Sequence, residues 1–441
     1  MDVKTSFSDD SQSCEDAKLS PYLEKIDSQV FDDLPPTDGG LHAWLFLAAS
    51  AMIEALFWGF ASSFGVFQSY YRENDVFPDT DIVAVVGTCA TGMAYLGCPL
   101  IITTMILLPR AARWFSTIGM TFMCLSLALA SFSTTFTHLV LSQGLGFGIG
   151  GCIAYSPSIL YMPEWFDKKR GLAFGTVWAG SGLSGILIPL ALDKLLVQFG
   201  FRMTLRIFSA LMFVLAAPLL YFHKPRLPVS KVTQYERLNL RFLLSRVSIV
   251  YQMGNIAEAL GFFLPAIYLP TVARSLGASS FVASLTVTAL NLASVFGSVS
   301  MGHLSDRCPT WICVAISTVG TVIAVFLIWG LSTTLPVLIL FGVAYGLFAG
   351  GYSAIWAGMI KDIQKVNPGA DPTMIFSTIA FGRGVGNVVS GPFSEVLIQA
   401  DHWQGQAIGS YGRGFGLTIV CTGLTAFLGG SSLMARFLKC I

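Results

Sequence analysis

Three charged residues stand where an apolar run should exclude them: Glu54, Glu258 and Arg383. A charge at bilayer mid-depth costs roughly 2.5–3.5 kcal/mol on insertion scales, so each must face a partner or a polar cavity. Glu54, Trp58 and Ser62 follow a four-residue step and therefore share one helix face. Glu258 and Phe262 repeat the acid–aromatic pair further along the chain. Arg383 has the planar fork that pairs an anion bidentately. Desolvation favours a neutral carboxyl and a nearby Arg favours the charged one, so a carboxyl whose access alternates can couple a proton to the movement of a small molecule. The plainer reading is that these groups hydrogen-bond across helices in a neutral form. Asn255 and Asn291 carry the same two readings, substrate contact or interhelical bond.

The elements that must position these residues are long apolar segments. Hydrophobic residues make up 54% of the 441 and charged residues 12%, against roughly 25% charged in soluble domains. Twelve segments come near the roughly 20 residues that a membrane-spanning helix needs. They cover 43–68, 82–104, 114–131, 137–161, 171–192 and 205–222, then 247–270, 280–301, 311–331, 335–358, 374–397 and 414–434. The runs are apolar all round rather than alternating, which excludes a barrel. The expected fold is all-α, twelve transmembrane helices in two six-helix halves, 41–222 and 247–441. Residues 1–40 read as a disordered tail and 223–246 as a linker.

Loop charges orient this bundle. Sixteen Lys and Arg fall on one set of alternate loops and six on the other, which predicts cytoplasmic termini and a cytoplasmic linker. Internal similarity supports the even count. Glu54-Ala55-Leu56 recurs as Glu258-Ala259-Leu260, Gly97 matches Gly297, and Gly150-Gly151 match Gly350-Gly351 at offsets near 200. A duplicated unit of this kind places a cavity between the halves at the bilayer midplane. The glycines from Gly144 to Gly151 follow no strand, so they read as close helix packing rather than a nucleotide loop. The nine cysteines show no metal spacing and no basic patch suggests nucleic acid, so neither metal, cofactor nor nucleic acid is expected.

Four stretches resemble a known family. Asp38-Gly39-Gly40-Leu41-His42-Ala43-Trp44 is similar to the opening signature of the monocarboxylate porter family of the major facilitator superfamily. Trp165 to Gly175, including Lys168, Lys169 and Arg170, resembles that family's second signature. Gly302 to Arg307 is similar to the superfamily loop motif, and Gly382 to Asn387 resembles fungal-type members. The resemblance implies a carrier of small organic molecules, with Asp306 and Arg307 as a gating latch. It departs from the family where animal members have an embedded Lys in the first helix, because Phe60 to Phe64 holds none. The acid of the loop after the second helix is missing too, leaving Leu108 to Arg113, and the eighth helix lacks the Asp–Arg pair. The lactate-type mechanism therefore does not carry over.

Together these readings give a non-enzymatic, gradient-driven transporter in a cell membrane, plasma or vacuolar, working as a monomer. Proton-linked export of an organic acid or secondary metabolite is the expectation. Uptake of a monocarboxylate or vitamin-like anion, or a receptor role on the same scaffold, is the alternative.

Overall fold

The computed structural model describes residues 34–74, 76–77, 84–227, 240–400, 403 and 405–437. Of the expected disordered tail (1–40), residues 1–33 lie outside the described residues, as does much of the linker (228–239). Among the described residues every regular element is helical. α1 spans Gly40–Ser62 and continues as Phe64–Glu73; α2 is Ala84–Leu107 and α3 is Phe115–Ala130. α4 runs from Phe136–Leu139 through Val140–Gly146 into Phe147–Trp165. α5 (170–199) and α6 (201–220) follow, then α7 as Arg246–Phe262 with Leu264–Ser275. α8 is Ser280–Arg307, and α9 joins Thr310–Ile323 to Ala324–Trp329. α10 joins Leu335–Ala349 to Trp356–Val366, α11 is Pro372–Gln399, and α12 is Gly416–Gly429 with Ser431–Phe437.

Each expected segment has its helix, several ends run five or more residues further, and the two largest shifts are instructive. The fifth segment does not end at 192: α5 runs on to Gly200, whose backbone (φ 70°, ψ 170°) breaks the helix within one residue. A positive φ strains any residue with a Cβ, so a single glycine does the work expected of a polar loop. Helix α10 also continues past 358 to Val366 because its last turns carry Lys361 and Lys365 into water. Large apolar side chains point outward at Leu100, Val197 and Phe281, as a lipid-facing surface requires.

The duplication has a structural counterpart. Gly97 of α2 packs on Cys152 of α4, and Gly297 of α8 packs on the carbonyls of α10. The glycines of α4 serve close packing, with Gly148 against Ala90 of α2 and Gly150 against Met123 of α3. The halves meet along α5–α8 and α2–α11. The face holding the start of α1, the α4–α5 turn and the end of α6 is called the linker face below.

Candidate functional site

The two repeated carboxyls end up in different surroundings. Glu258 on α7 accepts from Arg383 of α11 at 2.7 Å, Oε2 to Nη1. Both side chains are nearly excluded from solvent, and Arg383 is only 2% exposed. The guanidinium lies over the Phe262 ring at 4.4 Å and within 5.9 Å of Trp356. A delocalised cation on an aromatic face is stabilised by the ring quadrupole, and this helps to hold the fork in place. The sequence-predicted Glu258, Phe262 and Arg383 are thus one constellation.

Glu54 on α1 has no cation within ion-pair distance among the described residues. It lines a cavity of about 20 Å³ with Trp58 of α1, Tyr95 of α2 and Tyr155 of α4. Trp178 of α5, Trp356 of α10 and Phe376 of α11 complete the wall, so both halves contribute. Trp58 and Tyr95 meet as tilted rings with centroids 4.7 Å apart. Tyr95 also interacts with Arg383, which places it between the two carboxyl systems. Ser62, grouped with Glu54 by spacing, is exposed and turns its hydroxyl to the Gly59 carbonyl at 3.1 Å.

Toward the linker face an aromatic floor closes this cavity. Phe174 stacks on Phe376 at 5.2 Å, Trp178 meets Trp356 edge-on at 5.5 Å, and Trp356 meets Phe376 at 5.4 Å. One turn below, a carboxylate crosses between halves. Asp306 at the end of α8 accepts the Gly171 and Leu172 backbone N–H groups, at 2.8 and 2.9 Å. Those are orphan donors at the start of α5, where the helix dipole also favours a negative charge. Gly171 and Gly302 allow the approach, since a Cβ on either would collide with the other's carbonyl. Lys361 stands 3.8 Å from the Asp306 carboxylate. Arg307, expected to share the latch, is exposed.

The two signature stretches form one clamp. Asp38 accepts the backbone N–H groups of Asp167, Lys168 and Lys169 at 3.0, 3.0 and 2.8 Å, and its own N–H donates to the Trp165 carbonyl. Partial burial of Asp38 would raise its pKa, but these three donors and the Lys169 charge together hold it below the ordinary carboxylate value. Gly39 and Gly40 carry the chain from this cap into α1, Gly40 with φ +81°. Trp44 packs edge-on against Phe166 at 5.9 Å. Arg170 reaches the Asp167 carboxylate at 3.7 Å, and Gly175 lies against the Ser298 carbonyl of α8.

The asparagines divide. Asn255 donates to the Ile379 carbonyl of α11 at 2.7 Å and Asn291 to the Gly185 carbonyl of α5 at 3.2 Å. Both are interhelical ties, and Asn291 spans the halves. Sequence reasoning missed Tyr95, Trp178, Trp356 and Phe376, which nothing distinguishes from lipid-facing aromatics in an apolar run. It also missed His223, just past α6, whose ring nitrogens meet Ser116 and Ser158 hydroxyls at 2.7 and 2.9 Å while Phe46 stacks on it. Only its place in a polar stretch could have drawn notice.

Comparison with known proteins bears on this arrangement. The sequence pattern of the Major Facilitator Superfamily matches residues 43–252 and 253–409. The chain is 26% identical over 396 residues to the MFS transporter asaE of Aspergillus flavus, covering 87% of each chain. It is 26% identical over 369 residues to the agnestins efflux protein AgnL12 of Paecilomyces divaricatus, covering 81% of this chain and 82% of that one. Among solved structures it superimposes with TM-score 0.65 and 14% identity on the proton:xylose symporter XylE bound to 6-bromo-6-deoxy-D-glucose, covering 90% and 96% of the two chains.

Proposed function

The chain belongs to the Major Facilitator Superfamily, and from that premise we propose that this multi-pass secondary transporter exports a flat, partly apolar organic acid or secondary metabolite in exchange for protons. The observation that carries the reading is the cavity between the halves: rings from Trp58, Tyr95, Trp178, Trp356 and Phe376 around one carboxyl, with Arg383 against Tyr95 and Trp356 of its wall. Ring faces suit a planar apolar body, and a guanidinium suits its acidic group. Relatives named for efflux of fungal metabolites support the direction. The sequence's basic loops put the linker face and both termini in the cytoplasm.

At about 20 Å³ the cavity has room for a water rather than a metabolite. The substrate therefore enters when the halves 41–222 and 247–441 rock apart at the linker face, breaking the Asp306 latch. An anionic group on the substrate competes with Glu258 for Arg383. A carboxylate left buried without its partner is costly, so substrate and proton are linked through the same pair. Glu54, facing the cavity itself, takes the proton that enters from the opposite side. The chain works as a monomer in the plasma membrane.

The test compares metabolites in cells and medium of a strain with and without the protein. Intracellular accumulation of one acidic aromatic product on deletion supports export. Loss of growth on a particular acid, with no product retained, points to uptake and sinks the proposal.

A further inference from the structure

Ser158 of α4 reaches the wall of the inter-half cavity beside Tyr155. Its hydroxyl meets His223 Nε2 at 2.9 Å, and the other ring nitrogen, Nδ1, meets the hydroxyl of Ser116 on α3 at 2.7 Å. These side chains are all buried, His223 at 2% exposure. Phe46 stacks on the imidazole with the two rings 5° from parallel, which holds the ring plane aimed at both hydroxyls. Among the described residues neither serine hydroxyl has another hydrogen-bond partner. Ser116 itself takes no part in the cavity wall.

Burial keeps this ring neutral at ordinary pH. A neutral imidazole has one N–H and one lone pair, so one serine donates to the ring and the other accepts from it. With the hydrogen on Nε2, Ser158 accepts, and its own hydrogen is free for the cavity. With the hydrogen on Nδ1, Ser158 donates to the ring and shows the cavity only lone pairs. Because each nitrogen meets the same kind of group, little free energy separates the two forms. Both carry the same protons: the ring hydrogen passes between nitrogens by exchange with water, and the hydroxyls rotate. Two neighbours on the wall lack this freedom. Tyr155 gives its hydrogen to the Ala94 carbonyl at 2.8 Å, and the Trp356 indole can only donate.

We propose that Ser158 is a substrate contact of selectable polarity, and that His223 and Ser116 are the positioning residues that set where its hydrogen points. A carbonyl or ether oxygen on the substrate draws the form with the hydrogen on Nε2. A substrate N–H or hydroxyl hydrogen draws the other form. The cargo class is therefore a planar acid whose oxygen substituent is a ketone in one member and a hydroxyl in another, both accepted without rebuilding the wall. No net charge enters at this contact, so it is separate from the chemistry of Glu54 and Glu258. The choice of cargo rests on the exporter reading, but the exchanging ring does not.

Nuclear magnetic resonance of the full-length protein in detergent, its histidines labelled with nitrogen-15, reads the ring directly, because a ring nitrogen shifts widely with loss of its hydrogen. His223 is the ring whose signals vanish in His223→Gln and stay put between about pH 5 and 8, where ordinary histidines titrate. The unmodified protein should show both forms, averaged or resolved. Ser116→Ala removes the matching partner and should leave one form, whereas Ser116→Thr keeps the hydroxyl and should retain both. A single form in the unmodified protein, or both forms in Ser116→Ala, overturns the proposal. Should Ser116→Ala not fold, Ser158→Ala makes the same test from the other nitrogen, with one form expected and two overturning it. Transport then reads the contact itself. Among products retained by the deletion strain, Ser116→Ala should change the export ratio of ketone to hydroxyl members about tenfold, roughly what one hydrogen bond contributes. An unchanged ratio overturns the substrate contact. If no product is retained, the exporter reading fails while the ring spectra still decide the exchange, so the two ideas fail separately.

Discussion

Glu54 and Glu258 hold the same place in two copies of one six-helix unit, yet among the described residues only Glu258 pairs with a cation. On α11 the partner is Arg383. Shifted back by the repeat offsets of 200 and 204, its position falls on Leu183 and Ala179 of α5, and neither can carry charge. The gates show the same broken symmetry. In one seam Asp306 of α8 caps the start of α5 across the halves. In the other, the loop after α2 has Arg110 and Arg113 but no acid, and α11 is capped by its own Asp371 through Thr373 and Met374. Duplication conserved the helix packing and let the polar chemistry diverge. The C-terminal half carries the ion pair and the latch. The N-terminal half carries the lone carboxyl and the end of the helix that is latched.

The largest expected effect tests the ion pair. Arg383→Met leaves Glu258 buried without a partner, and removing one member of such a pair costs about 3–5 kcal/mol. Thermal unfolding in detergent should show that loss, and Arg383→Met with Glu258→Leu should recover much of it. If the single change is as mild as Glu54→Gln, the two halves are not chemically distinct.

The latch comes next. Hydrogen bonds to a charged group contribute roughly 1.5–3 kcal/mol, and Asp306→Asn weakens two of them. The population should move toward an open linker face. A cysteine introduced at the buried Ser298 should then label faster with a water-soluble maleimide. Arg110→Ala and Arg113→Ala, in the seam without an acid, should leave its labelling unchanged. Equal effects from both seams would restore the symmetry that the structure denies.

A smaller difference separates the halves by pH. Burial pushes His223 down to about 3 from its ordinary 6.5. As pH falls, the unfolded chain binds this proton first, so stability is full above about pH 6.5 and declines toward pH 3. By about pH 5 the loss reaches ~2 kcal/mol. No histidine follows the start of α12, the helix that corresponds to α6. His223→Gln should flatten the acid limb of an unfolding profile, which a purely C-terminal origin of acid instability would not allow.

How much of this the sequence discloses follows from contrast with the background. Glu54, Glu258 and Arg383 are conspicuous because lipid makes charge expensive, so their importance survives without coordinates. Their unequal pairing does not, since it depends on which face of α11 meets α7. Trp178, Trp356 and Phe376 are invisible for the opposite reason, being apolar among apolar neighbours. Asp38 is legible as part of a signature, but its work is done on Asp167 to Lys169, more than a hundred residues away, where the chain turns into α5. Gly200 falls in the gap 193–204 that the sequence leaves between the fifth and sixth segments, and only its positive φ shows that one residue, not a loop, separates α5 from α6.

The smallest effect on stability decides most about mechanism. Glu54 loses no ion pair when it becomes Gln, and the amide keeps the side chain's volume beside Trp58 and Tyr95. Glu54→Gln should therefore shift unfolding by less than about 1 kcal/mol, the range of a change that creates neither a cavity nor an unpaired charge. Transport should change far more, because the carboxyl that alternates between compartments can no longer gain or lose a proton. Efflux measured in vesicles at several pH values should become insensitive to pH in this variant while substrate still exchanges. Glu258→Gln should instead disturb both stability and exchange, since it frees Arg383. Should efflux by Glu54→Gln keep its full pH dependence, proton coupling belongs to the paired carboxyl, and the lone one only shapes an aromatic cavity.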